Sequence, residues 1–120
     1  MPRILVAEDE AVNREMVAAA LEAAGHDVVR AEDGAIARDA LLRESFDLLV
    51  TDLQMPVLTG LDLLALVRAQ PNPIPVIIVS GTWTREEKHR ARTLGAAALF
   101  EKGSLDLREL VREVERLMRP

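Results

Sequence analysis

Residues 48–56, LLVTDLQMP, constrain the fold of this chain more than any other stretch. Leu48, Leu49 and Val50 form an apolar run without a polar interruption, and the run stops at Thr51 and the carboxylate of Asp52. Such a run reads as a strand buried on both faces, which implies a parallel sheet covered by helices. The turn-forming Met55 and Pro56 follow, then Gly60, so the chain leaves the sheet soon after Asp52. In sheets of this kind, ligands and chemistry collect beyond the carboxyl ends of the strands. Asp52 stands at that end.

The same pattern recurs along the chain. Residues 4–7 form a short apolar run that stops at Glu8, Asp9 and Glu10, and residues 27–31 (DVVRA) read as a second strand before a turn at Glu32, Asp33 and Gly34. Residues 76–79 are the most apolar β-branched run and stop at Ser80 and Gly81; residues 96–101 stop at Lys102 and Gly103. Helical spacing fills the gaps. It places Val12, Met16, Val17, Ala20, Leu21 and Ala24 in a first helix closed by Gly25, and Ile36, Ala40 and Leu41 on one face of a second over 35–43. A third helix is expected over 61–69 and a charged fourth over 85–94, closed by Gly95. A fifth over 105–118 buries Leu107, Leu110, Val111, Val114 and Leu117. Pro71, Pro73 and Pro75 exclude helix from the turn before the fourth strand. Five strands alternating with five crossover helices make a doubly wound α/β domain.

At 120 residues, the chain is the size of one domain and buries about two-thirds of the surface its unfolded form exposes. Residues 1–120 are read as that one domain, without repeat or linker. Aromatic residues make up 2% and the net charge is −5, so both the stacking platforms and the basic surface of a nucleic-acid-binding module are missing. The absence of cysteine excludes a disulfide frame, a thiolate metal site and a cysteine nucleophile. No apolar run approaches the ~20 residues of a membrane span, and MPRILVAEDE lacks the parts of a secretory signal. The expected location is cytoplasmic.

The strand ends bring Glu8, Asp9, Asp52, Ser80 and Lys102 to one edge of the sheet. Crowded carboxylates repel and raise their own pKa values unless a cation sits among them. A hard divalent ion answers that, and Mg2+ takes one or two carboxylates together with water and phosphate oxygens. A lysine and a hydroxyl facing the cluster are what a transferred phosphoryl group needs. Asp52 is then the natural nucleophile, since carboxylates form acyl phosphates. Each residue also has a plainer use. Glu8 and Asp9 could cap the first helix, Asp52 could shape a turn, Ser80 could cap the next helix, and Lys102 could be a solvated strand-end charge. Their convergence favours the chemical reading.

This constellation resembles the receiver domain of two-component response regulators, the CheY-like superfamily. The resemblance spans the whole chain. It rests on VAEDE with Glu8 and Asp9, TDLQMPVLTG with Asp52, Pro56 and Gly60, PVIIVSG with Ser80, LGAAA with Gly95 and Ala96, and FEKG with Lys102. It implies a flavodoxin-like (βα)5 fold with a five-stranded parallel sheet in the order 2-1-3-4-5. It also implies that Asp52 accepts a phosphoryl group from a phosphohistidine of a partner histidine kinase or histidine phosphotransferase. Glu8, Asp9 and Asp52, with the backbone carbonyl of Gln54, would coordinate Mg2+, and Lys102 and Ser80 would read the phosphoryl group. Output would pass through the fourth helix, fifth strand and fifth helix, a surface through which a homodimer could also form. The alternative is a degenerate receiver acting as a phosphorylation-independent interaction or dimerisation module.

Two other classes fit less well. A phosphohydrolase working through an aspartyl phosphate would want a second acid two residues after the nucleophile, where this chain has Gln54, so an enzyme is not expected. A flavodoxin-like cofactor carrier would want a phosphate cradle after the first strand, where this chain is acidic.

Three positions depart from the family's pattern. Leu99 stands where Tyr or Phe is usual, three residues before the lysine, and Phe100 is directed to the opposite face of its strand. The usual coupling of hydroxyl to aromatic ring is therefore in question. Gly103 replaces the proline that normally follows the lysine in a cis bond. A non-proline cis bond costs ~2.5–4 kcal/mol, so a trans or rearranged loop is expected. Glu8 is longer than the commoner Asp, which suits contact with a metal through water. His26 and His89 are expected at the surface without a metal or phosphotransfer role. Arg85, Glu86, Glu87, Lys88, Arg90 and Arg92 are expected on a solvated face, and Trp83 packed over the edge of the sheet.

Overall fold

Strands form where Leu, Ile and Val run unbroken, and helices where apolar residues recur every three or four positions. The computed structural model describes residues 2–119. Strands β1 (Arg3–Ala7), β2 (Asp27–Ala31), β3 (Leu48–Asp52), β4 (Val76–Ser80) and β5 (Ala98–Glu101) alternate with helices α1 (Ala11–Ala23), α2 (Gly34–Arg43), α3 (Gly60–Arg68), α4 (Arg85–Leu94) and α5 (Leu107–Met118). The strands pair in parallel in the order β2-β1-β3-β4-β5, as expected. This is a single doubly wound α/β domain with a flavodoxin-like strand order. No helix among the described residues is long and apolar enough to cross a membrane.

Alternation along the strands builds two cores. Leu5, Leu49 and Ile78 meet Ala37 of α2, Leu63, Leu64 and Val67 of α3, and Ala91 of α4 on one face. Ile4, Val6, Leu48, Val50, Ile77 and Val79 meet Leu21 of α1 and Leu110 and Val114 of α5 on the other. Ile77 and Ile78 are both 0% exposed, and burying a side chain of that size contributes about 1.5–3 kcal/mol. Leu99 and Phe100 part as their alternation requires, Leu99 to the first core and Phe100 to the second.

Local signals set the ends. Asp33 accepts from the Ile36 amide to start α2, and Thr59 with Asp62 and Thr84 with Glu87 form capping boxes at the starts of α3 and α4. Gly60 is required by space as well as by the turn. A Cβ there would lie 2.4 Å from the Asp52 carbonyl oxygen, so only glycine lets α3 begin against the end of β3.

Several expectations change. α1 and α2 bury the expected faces only in part: Leu21 is buried as expected, but Val12, Met16 and Ile36 are 72%, 51% and 46% exposed, and Ala18 and Ala37 are buried in their place. Small alanines let these helices approach the sheet closely on a neighbouring face. β5 begins at Ala98 rather than Ala96, because the left-handed turn at Gly95 and the bond from the Ala96 amide to the Ala91 carbonyl use the intervening residues. α5 begins at Leu107, capped by Asp106, after a 3-10 turn over Lys102–Ser104. That turn is the rearranged loop expected at Gly103, and no peptide bond among the described residues is cis. His26 is buried, not at the surface. It enters β2 beside α5, with Nε2 3.8 Å from Glu115.

Candidate functional site

Parallel pairing brings the charged strand ends together. Ala7 lies level with Thr51, Asp52 with Val79, and Ser80 with Glu101, so the residues just past β1, β3, β4 and β5 share one edge. The Glu8 amide donates to the Ala31 carbonyl at 3.1 Å and continues the ladder one step beyond β1. This places the Glu8 carboxyl in the edge, 5% exposed. Asp52 is also 5% exposed. The Thr51 hydroxyl donates to the Asp52 carbonyl at 2.9 Å and the Gln54 amide approaches Asp52 Oδ1 at 3.4 Å. Each of Glu8, Asp9 and Asp52 offers a carboxylate oxygen, all within 4.8 Å of one another.

Lys102 reaches into this group. Its Nζ lies 2.7 Å from Glu8 Oε1, 3.1 Å from Asp52 Oδ2 and 3.3 Å from Glu10 Oε1. It is a buried-edge counter-charge rather than a solvated strand end. Burial pushes the Glu8 carboxyl up to about 7, the Lys102 hydrogen bond opposing the rise and the Asp52 charge adding to it. Burial works against the Lys102 charge as well, but Glu8 and Asp52 outweigh it and hold its pKa above the ordinary lysine range. Behind the charges lies a cavity of about 100 Å³, with Glu8, Asp52 and Lys102 on one side and Met16, Val17 and Leu107 on another. Apolar walls of this sort limit water and strengthen the electrostatics at the edge.

Ser80 is fully buried, with its hydroxyl turned into its own loop. It donates to the Thr82 carbonyl at 2.6 Å and accepts from the Thr82 amide at 3.3 Å. Gln54 is exposed and meets Asp52 through its amide; its carbonyl takes no part in the hydrogen bonds of the site among the described residues. The capping uses fall away. Glu10, without a side-chain capping bond, is the N-cap of α1, and Thr84 rather than Ser80 caps α4.

Arg14 and Asn13 were missed from the sequence. Arg14 Nη1 donates to the Glu8 carbonyl at 3.0 Å and Asn13 Nδ2 to Glu10 Oε1 at 3.0 Å. A signal was present: side chains in the first turn of a helix tilt toward its N-terminus, so polar residues there can reach back to the strand end before it.

All-oxygen, hard, anionic donors suit a divalent cation. A lysine directly against one of those carboxylates suits a phosphoryl group.

Comparison with known proteins shows the family. The family described as "Response regulator receiver domain" matches residues 4–115. The chain is 36% identical over 117 residues to the gliding motility regulatory protein of Myxococcus xanthus, covering 96% of this chain and 15% of that protein. It is 31% identical to the response regulator receiver protein CpdR of Brucella abortus, covering 98% of each. The receiver domain of the Francisella response regulator 1452 superposes with a TM-score of 0.90 at 30% identity, covering 98% of this chain and 97% of that one. The chain spans 15%, 49% and 49% of the length of three curated relatives. It belongs to the receiver domain family of two-component response regulators.

Proposed function

We propose that Asp52 is the phosphoryl acceptor of this receiver domain, with Glu8 and Asp9 completing a Mg2+ site and Lys102 holding the transferred group. One observation carries the reading: Asp52 is buried at a strand end with a lysine ammonium 3.1 Å away and two further carboxylates within 4.8 Å. The donor set fits the ion. Four carboxylates, Glu8, Asp9, Glu10 and Asp52, share their edge with a single ammonium, so at least one negative charge is left over for a cation. Bound there, Mg2+ would offset the charge of the incoming phosphoryl oxygens.

The rest follows from this chain's own groups. An Asp52 oxygen attacks the phosphorus of a phosphohistidine; the new O–P bond forms as the P–N bond breaks, and the imidazole leaves with the electron pair. Lys102 exchanges its Asp52 contact for a phosphoryl oxygen, which keeps its charge paired. Ser80 donates a hydrogen bond to a second oxygen, and the backbone carbonyl of Gln54 would supply a further ligand to Mg2+. The partner is a histidine kinase or a histidine phosphotransferase. Exposed Val12 and Met16, one turn apart on α1 with Met16 lining the cavity behind Asp52, offer an apolar landing beside the acceptor. The receiver unit occupies 1–120, works in the cytoplasm and signals through α4, β5 and α5 rather than by turnover of an external substrate. A homodimer through that surface would show as a mass doubling on phosphorylation in analytical ultracentrifugation.

Acetyl phosphate with Mg2+ tests the acceptor. Intact-mass analysis should show one phosphoryl group, absent with EDTA and absent in Asp52→Asn. An adduct that survives Asp52→Asn contradicts the assignment. The absence of any adduct in a folded protein favours the phosphorylation-independent interaction module instead.

A further inference from the structure

Ser80 begins a run of residues that are each tied to something different. Its hydroxyl is held by Thr82. The Trp83 indole Nε1–H donates to the Phe100 carbonyl of β5 at 2.9 Å. Thr84 forms the capping box that starts α4. The run therefore joins the acidic edge, the rim strand of the sheet and the first turn of α4 within five residues.

A serine hydroxyl has one proton to donate. The Ser80 proton is committed to the Thr82 carbonyl, so donation to a phosphoryl oxygen on Asp52 requires that contact to break. The freed Thr82 carbonyl then needs a new partner, and the peptide that carries it is bonded directly to Trp83. Gly81 adds no resistance, since nothing lies within 4 Å of where its Cβ would be. Nor does α4, which fully buries Ala91 alone. Trp83 and Leu99 of β5 each pack against the same core, and the indole N–H bears directly on that strand.

We propose that Trp83 is a transmission element between the acceptor site and β5: transfer of the Ser80 hydroxyl from Thr82 to a phosphoryl group on Asp52 turns the Thr82 peptide and releases the Trp83 indole from the Phe100 carbonyl. β5 then loses a hydrogen bond on its outer side and the start of α4 shifts with Thr84. The signal leaves through an indole in the β4–α4 loop, with no aromatic residue needed at Leu99. This rests on the reading of Asp52 as phosphoryl acceptor.

Trp83 is the only tryptophan in the chain, so its indole gives a single cross-peak in a 15N–1H spectrum. The experiment adds Mg2+ and beryllofluoride, a phosphoryl mimic, to the full chain and follows that peak while 19F NMR reports bound ligand. The expected result is an upfield move of the indole proton and severalfold faster exchange with water, both absent in ligand-bound Ser80→Ala. Bound ligand with an unmoved indole peak overturns the relay and leaves the acceptor reading intact, as does an equal move in Ser80→Ala. No bound ligand in the native chain overturns both. Trp83→Phe keeps a ring without the N–H and decides the matter where Ser80→Ala fails to bind. The ligand-dependent shifts of the β5 amides should then shrink, and shifts as large as in the native chain overturn the relay.

Discussion

The middle of the sheet and its β5 rim are held by different means. All five residues of β3 and of β4 are buried, whereas none of the residues of β5 is. α3 buries Gly60, Leu63, Leu64 and Val67 against that middle; α4, one residue longer, buries Ala91 alone and leans on its capping box and on Gly95 for its ends. Asp52, the proposed acceptor, therefore stands on the part of the molecule that costs most to disturb, and the elements proposed to carry the signal form the part that costs least. Regions with few buried apolar contacts open at lower free energy than the core, so a small change of hydrogen bonding at the edge can move α4 and β5 without moving Asp52.

The largest expected effect sets the middle against the rim. Ile78→Ala removes a fully buried side chain and should cost about 4 kcal/mol in urea unfolding. Leu94→Ala, at a partly buried position of α4, should cost about 1 kcal/mol. Equal losses would erase the distinction.

The next effect lies within the site. The Glu8 carboxyl is raised from 4.5 to about 7, so the folded state holds that proton more tightly than the unfolded chain does. The resulting stabilisation is complete below the unfolded pKa of 4.5 and is lost as pH rises through about 7. It amounts to about 3 kcal/mol. In EDTA, urea midpoints should fall across that window in the native chain and stay flatter in Glu8→Gln. Mg2+ should restore most of the loss at the upper end. A midpoint that climbs with pH would reverse the sign and show the Glu8 charge to be better paired than its burial implies.

The smallest effect is the most local. Thr84→Ala removes the cap of α4 and should cost about 1 kcal/mol. Hydrogen exchange should report the change in α4 and leave the β3 and β4 amides protected.

Much of this arrangement was legible in the sequence, for a physical reason. Unbroken runs such as residues 48–50 and 76–79 have only one way to be buried on both faces, and the polar residues that end them, Asp52 and Ser80, have only one edge to occupy. That placement brings Glu8, Asp52, Ser80 and Lys102 to one edge, where the proposed acceptor site lies. The faces of α1 were not legible. Its apolar and alanine residues cover most of the helical wheel, and only the packing of sheet and α5 decides that Ala18 goes in beside Leu21 while Val12 and Met16 stay out. His26 was misplaced because a polar residue after Gly25 reads as a turn, when the closing partner on α5 lies far along the chain. The Ser80–Thr82 contact and the Trp83–Phe100 bond were likewise hidden, since loop hydrogen bonds follow from three-dimensional register rather than from periodicity.

The central claim is that Asp52, and no other carboxylate of the edge, takes the phosphoryl group. A phosphohistidine donor protein transfers its phosphoryl group to the chain in Mg2+, borohydride then reduces the acyl phosphate, and peptide sequencing locates the reduced residue. The account predicts homoserine at position 52 and intact carboxylates at Glu8, Asp9 and Glu10. Reduction at Asp9 or Glu8, or a transferred phosphoryl group that resists borohydride, would contradict it.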